Sequence, residues 1–178
     1  MQPTIVMING AFGVGKTTVA NGLLAQIPDS MLYDPEEVGQ MLRKIGGGIR
    51  SADEKIGDFQ DDPLWPALTV EVAKRLFNEY KRPLIIPMTL AHIPYFTTIK
   101  DGLAQLTADF HHFCLTASTA TIHRRLIERG DEPSGWTFQR TARCVIAHRD
   151  PIFSEHISTE AIDPQKVQHY MLDRIQPS

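Results

Sequence analysis

Two glycines, a lysine and a threonine carry the clearest chemical signal in the chain: Gly10, Gly15, Lys16 and Thr17 are spaced as glycine, four residues, glycine, lysine, hydroxyl. That spacing is the P-loop pattern. The backbone amides of Gly10, Ala11, Phe12, Gly13, Val14 and Gly15 are expected to turn inward at the start of a helix and cradle phosphate oxygens, with the helix dipole adding partial positive charge. Lys16 is then expected to reach the outer phosphates and the Thr17 hydroxyl to hold Mg²⁺, with Thr18 completing the cofactor-binding set. A glycine-rich turn ahead of a helix is the plain alternative. The apolar run from Thr4 to Ile8 in front and the helical pattern behind supply the strand, loop and helix that the motif requires.

Asp34 is the second candidate. It follows the apolar run Met31-Leu32-Tyr33 and precedes Pro35-Glu36-Glu37, a helix start with Asp34 as N-cap, proline at the first position and carboxylates in the first turn. A carboxylate at the carboxyl end of a strand shares a sheet edge with Lys16 and Thr17, where it could orient an attacking hydroxyl, accept its proton or support a metal's water shell. Capping alone is the plainer role, and the two are compatible. Arg125 and Arg129 are four apart and project to one side of a helix, and Arg143 returns from the helix that follows. Guanidinium groups hold phosphate bidentately and stabilise charge on a transferring phosphoryl group, although Arg125 could instead stack on a nucleobase. Arg124 and Arg140 read equally well as a solvated basic face.

Asp58, Phe59, Gln60 and Trp65 follow a glycine run and could wall an acceptor pocket, with ordinary loop packing an equal account of the two aromatics. The third strand ends Pro87-Met88-Thr89, without the Asp that P-loop ATPases and GTPases place there to support Mg²⁺. Asp34 and water would then do that work. The histidines lack metal-ligand spacing, since His111 and His112 sit side by side in a strand and point to opposite faces. Cys144, beside Arg143, reads as a buried, inert thiol.

Alternating strands and helices must position these groups. The expected strands are Thr4 to Asn9, Met31 to Tyr33, Leu84 to Ile86, Phe110 to Thr116 and His156 to Thr159. Pro87 is expected to mark where the third leaves the sheet. Helical stripes are expected at Val19, Leu23 and Ile27, at Leu68, Val72 and Leu76 behind an Asp62-Pro63 cap, over Asp101 to Leu106, and at Ile122 and Leu126 behind Ser118. Two more follow, over Trp136 to His148 and at Val167, Tyr170, Met171 and Ile175 behind Asp163-Pro164. This alternation implies an α/β fold: an open, parallel sheet covered on both faces, with ligands beyond the carboxyl ends of its strands.

The chain of 178 residues is expected to form one domain, 1–178, with an acceptor-binding segment at about 35–65 and a lid at about 125–143 centred on Gly130 to Gly135. A formal net charge of −3 offers no nucleic-acid footprint. Two cysteines make no disulfide framework, there is no export signal, and no apolar run approaches the roughly 20 residues of a membrane span. A cytoplasmic location is expected.

At Asn9 to Thr17, Tyr33-Asp34-Pro35-Glu36, Gly57-Asp58-Phe59-Gln60-Asp61, Ile85-Ile86-Pro87-Met88-Thr89, Arg143-Cys144 and Pro151-Ile152-Phe153, the chain resembles the bacterial ATP-binding tunicamycin-resistance proteins. The resemblance runs from residue 4 to about residue 160 and is more specific than the P-loop alone. It implies a five-stranded, nucleoside-monophosphate-kinase-like fold, ATP as cofactor and protection against tunicamycin, a uridine-containing, acylated sugar antibiotic. Longer members continue into a basic amphipathic segment thought to touch the membrane, whereas this chain ends at Ser178, so peripheral contact is expected only through an acylated ligand. Two functions follow from this reading. One is a phosphotransferase in which Asp34 orients an acceptor hydroxyl while Lys16, Arg129 and Arg143 hold the phosphoryl charge. The other is an ATP-binding protein that sequesters the drug without covalent chemistry.

Overall fold

The computed structural model describes residues 3–46, 62–133 and 135–176. Five strands form one sheet: β1 (Ile5–Gly10), β2 (Met31–Leu32), β3 (Leu84–Met88), β4 (Phe110–Thr116) and β5 (His156–Ser158). Their order is β2-β3-β1-β4-β5, and every pairing is parallel. The P-loop strand β1 is central, with Ile5 opposite Leu84 on one side and Phe110 on the other. The helices are α1 (Lys16–Gln26), α2 (Pro35–Gly46), α3 (Trp65–Tyr80), α4 (Ile93–Ala104), α5 (Thr119–Arg129), α6 (Trp136–Ala147) and α7 (Pro164–Ile175).

Alternation along β1 divides the core in two. Val6 and Ile8 face one layer, with Leu23 of α1, Ile122 and Leu126 of α5, Phe138 of α6 and Met171 of α7. Ile5 and Met7 face the other, with Val38 and Leu42 of α2, Trp65 and Phe77 of α3, and Phe96 and Ile99 of α4. All four β1 side chains are fully buried, each worth about 1.5–3 kcal/mol of transfer free energy. A strand apolar on both faces is what a covered parallel sheet demands. The expected three-layer α/β architecture is therefore present.

Four local features sharpen the sequence reading. The helix expected over Asp101 to Leu106 starts earlier, at Ile93, because His92-Ile93-Pro94 supplies an extended cap residue and a proline in the first turn. The buried stripe of α3 is Trp65, Thr69, Ala73 and Phe77. Leu68, Val72 and Leu76 flank that stripe, partly buried, so the apolar face lies one residue round from the expected one. Asp62 does cap, its Oδ1 accepting from Leu64 N at 3.0 Å, but the cap holds the lead-in turn and α3 begins at Trp65.

Pro87 does not end the third strand, for it stands opposite Ile8 within β3. The alternation of parallel pairing explains this. Pro83 and Ile85 carbonyls accept from Met31 and Tyr33 amides on the β2 side, and Leu84 N donates to Thr4 O on the β1 side. Pro87 therefore turns its missing N–H toward β2, which has already ended at Leu32.

Candidate functional site

The carboxyl ends of the strands open onto a cavity of about 620 Å³. Its walls include Phe12, Gly13, Val14, Gly15, Lys16, Thr17 and Thr18 from the loop after β1, and Asp34 and Glu36 beyond β2. Pro87, Met88 and Thr89 come from the end of β3, and Arg125 and Arg129 from α5. Thr159, Ile162, Pro164 and Val167 close the far end, after β5.

The loop's shape comes from glycine at two positions above all. Gly15 caps α1 with φ 108°, in the left-handed region, and so aims the first amides of the helix at the cavity. Gly10 has no room for a side chain, since a Cβ would stand 2.8 Å from Leu115 O and 2.7 Å from Val14 Cγ1. The loop is also gripped from outside. Val14 O accepts from Arg125 Nη1 at 3.2 Å and from Thr159 Oγ1 at 3.0 Å, while Arg125 Nη2 donates to Thr159 O at 2.7 Å. Inside, Asn9 is fully buried and ties the loop to the segment after β3. Its Oδ1 accepts from Gly10 N and Leu90 N, each at 2.8 Å, and its Nδ2 donates to Leu90 O at 2.9 Å.

Lys16 Nζ donates to Gly10 O and Ala11 O, both at 2.9 Å, and lies 5.6 Å from the Phe12 ring centroid. Burial pulls its pKa down to about 8, partly offset by the negative charge of Glu36. Asp34 Oδ1 accepts from Glu36 N at 2.9 Å, so the acid caps α2 and lines the cavity at once. Arg129 forms a two-pronged ion pair with Asp131, at 2.7 and 3.0 Å, which holds the carboxyl below its usual range and raises the guanidinium further.

Among the sequence candidates, the cavity's walls bring together Phe12, Gly13, Val14, Gly15, Lys16, Thr17, Thr18, Asp34, Arg125 and Arg129, while Gly10 and Ala11 are not walls and offer their carbonyls to Lys16. Arg143 lies exposed on α6 and is not among the cavity's walls. Trp65 is not a wall either: it is buried in the core, and its Nε1 donates to Pro35 O at 2.9 Å, bracing the turn that carries Asp34 and Glu36. Asp58, Phe59 and Gln60 lie outside the described residues. His111 pairs with Asp109 and stacks along Phe113, whereas His112 is buried against Phe96, so the two do face apart. Among the described residues no cluster of His, Cys, Asp and Glu has the makings of a metal centre. Both cysteines are buried and unbridged, and burial pushes the Cys114 thiol up to about 12.

Glu36, Thr89, Thr159 and Asn9 were missed from sequence. One signal could have found three of them: in an open α/β sheet, ligands meet whatever follows each strand. Thr89 follows β3 and Thr159 follows β5, while Glu36 shares a first helical turn with Asp34.

The donor set suits a nucleoside triphosphate with its divalent cation. The glycine-shaped loop and the head of α1 line the cavity, and an ammonium and a hydroxyl, Lys16 and Thr17, adjoin them. Fold and site together define a P-loop protein of the nucleotide-kinase-like type, with a five-stranded all-parallel sheet. The AAA-domain family model matches residues 5–145, and the chain belongs to that family. It is similar to the tunicamycin resistance protein of Deinococcus radiodurans, with 28% identity and a TM-score of 0.79 over 99% of this chain and 97% of that one. It shares its fold with a gluconokinase from Sinorhizobium meliloti, at 15% identity and TM-score 0.64 over 98% and 92% of the two chains. It likewise shares the fold of the shikimate kinase of Acinetobacter baumannii in complex with shikimate, at 17% and 0.59 over 97% and 93%. No curated protein matched in a separate comparison. Among the described residues, no helix is long and apolar enough to cross a membrane.

Proposed function

We propose that this protein is a small-molecule kinase that moves the terminal phosphoryl group of ATP to a hydroxyl of tunicamycin or a related nucleoside sugar. The observation that carries the reading is that one cavity is walled by the P-loop, by Lys16 and Thr17, and by Asp34, the acid two residues beyond β2. The similarity to a tunicamycin resistance protein supports the choice of acceptor.

Bound ATP with Mg²⁺ supplies the transferable phosphoryl group and neutralises its charge. The loop amides and Lys16 hold the phosphates, and the Thr17 hydroxyl ligates the cation. Lys16 must leave the Gly10 and Ala11 carbonyls to do so, exchanging two neutral acceptors for anionic ones. Asp34 is fixed by its cap bond to Glu36 N and by the Trp65 brace beneath Pro35, so it can orient the acceptor hydroxyl and take its proton without reorganising. Arg129 steadies the charge in transit as the lid, 125–143, closes over the phosphates and excludes water. Arg125, Ile162, Pro164 and Val167 hold the base, and the segment containing Asp58, Phe59 and Gln60 takes the acceptor, all within a single domain in the cytoplasm where ATP is supplied.

Incubation of protein, ATP and tunicamycin should give a drug heavier by one phosphoryl group in mass spectrometry, and Asp34→Asn should abolish that product. ATP turnover with the drug unmodified refutes the transfer. A second reading, sequestration of the drug without chemistry, is favoured by the neutral Thr89 where an acid is expected after β3. It predicts protection stoichiometric with protein and undiminished in Asp34→Asn.

A further inference from the structure

Thr89 is 2% exposed and stands one residue beyond β3, in the wall of the cavity. Its Oγ1 is shut from water and, among the described residues, has no hydrogen-bond partner. A buried hydroxyl left in this way carries a desolvation cost that an apolar side chain of the same shape would avoid. The backbone of the next residue is bonded by contrast, since Leu90 N and Leu90 O are both held by Asn9.

Strand order locates this hydroxyl. β3 lies between β2, whose end bears Asp34, and β1, whose end bears the P-loop. With neighbouring strands about 4.8 Å apart, Thr89 stands under the gap that a phosphoryl group crosses on its way from the loop to an acceptor beside Asp34. A staggered step about χ1 carries the hydroxyl to the place of the methyl or of the hydrogen on Cβ, with no backbone movement. Asp34 and Glu36 share the cavity with Lys16, Arg125 and Arg129, a lining that gathers anionic oxygens, and a hydroxyl beside such an oxygen donates its proton to it.

We infer that Thr89 Oγ1 donates a hydrogen bond to an oxygen of the terminal phosphoryl group of bound nucleotide, a contact available to a triphosphate and not to a diphosphate. The inference rests on the nucleotide-binding half of the proposed function and is independent of the acceptor. The test is calorimetric binding of a non-hydrolysable ATP analogue and of ADP, each with Mg²⁺, to the unaltered chain, Thr89→Val and Thr89→Ser. Thr89→Val should weaken the triphosphate about tenfold or more, the size of a hydrogen bond to a charged group, while ADP stays within about twofold. Thr89→Ser should bind both nearly as the unaltered chain does. The thermal midpoint of ligand-free Thr89→Val should not fall, because no bond is lost. Unchanged triphosphate affinity in Thr89→Val, an equal loss for ADP, or a lowered midpoint would each overturn the assignment. If the unaltered chain binds neither nucleotide, the P-loop reading fails as well, which separates the two failures.

Discussion

Replacing Asn9 by Leu tests how the loop is anchored. The two side chains have nearly the same shape, so the change leaves little cavity but removes three hydrogen bonds inside a fully buried site. Leu90 O keeps a partner, His148 Nε2 at 2.6 Å. Gly10 N and Leu90 N lose the only acceptor the side chain gave them. At about 1–3 kcal/mol for each orphaned donor, the fold should lose roughly 2–6 kcal/mol, a large share of the 5–15 kcal/mol typical of a domain. Urea unfolding followed by tryptophan fluorescence suits the measurement, because Trp65 is buried and reports the core. Asn9→Leu should also weaken nucleotide binding more than its loss of stability explains, since Gly10 opens the phosphate cradle. A loss below about 1 kcal/mol would mean that water or a backbone shift satisfies both amides, and the reasoning from orphaned donors would be wrong.

Three other outcomes are expected. His112 and His148 each have a pKa lowered to about 4 by burial, so between pH 6.5 and 4 the unfolded chain binds more protons than the folded one. Stability should hold above pH 6.5 and fall as pH drops through that window, by up to about 3 kcal/mol per ring, and an urea midpoint flat from pH 7 to 4.5 would contradict this. Lys16, at about 8 in the free protein, must be charged to hold phosphate, so nucleotide affinity should decline above pH 8 and binding at pH 9 should take up a proton. Calorimetry in two buffers of different ionisation enthalpy reads that proton directly, and its absence would refute the assignment. Gly10→Ala drives a Cβ against the Leu115 carbonyl, which cannot yield as a side chain would, so it should cost about 1–3 kcal/mol in thermal unfolding and abolish nucleotide binding.

The sheet and the cradle were legible because they rest on local rules: apolar runs at β1 and β4, the loop spacing, and the caps at Asp34, Ser118 and Asp163, each of which accepts from an amide two or three residues on. The α3 face was misjudged because Thr69 and Ala73 occupy buried positions that larger apolar neighbours advertise more loudly. Trp65 and Arg143 were drawn toward the site by residue type and place in the chain, after the glycine run and after the lid, whereas burial and helix phase decide where they point. That Thr89 stands between the loop and Asp34 needed the strand order, which depends on contacts between residues far apart in sequence.

The proline in β3 has one more effect. Beyond Ile85 no strand among the described residues pairs with β3 on its outer side, and a margin of that kind invites a strand from another molecule to add to it. With a ring nitrogen at Pro87 in place of an amide, the margin cannot complete such a ladder. The side of the sheet nearest Asp34 is thereby guarded against self-association while it stays open to small solutes.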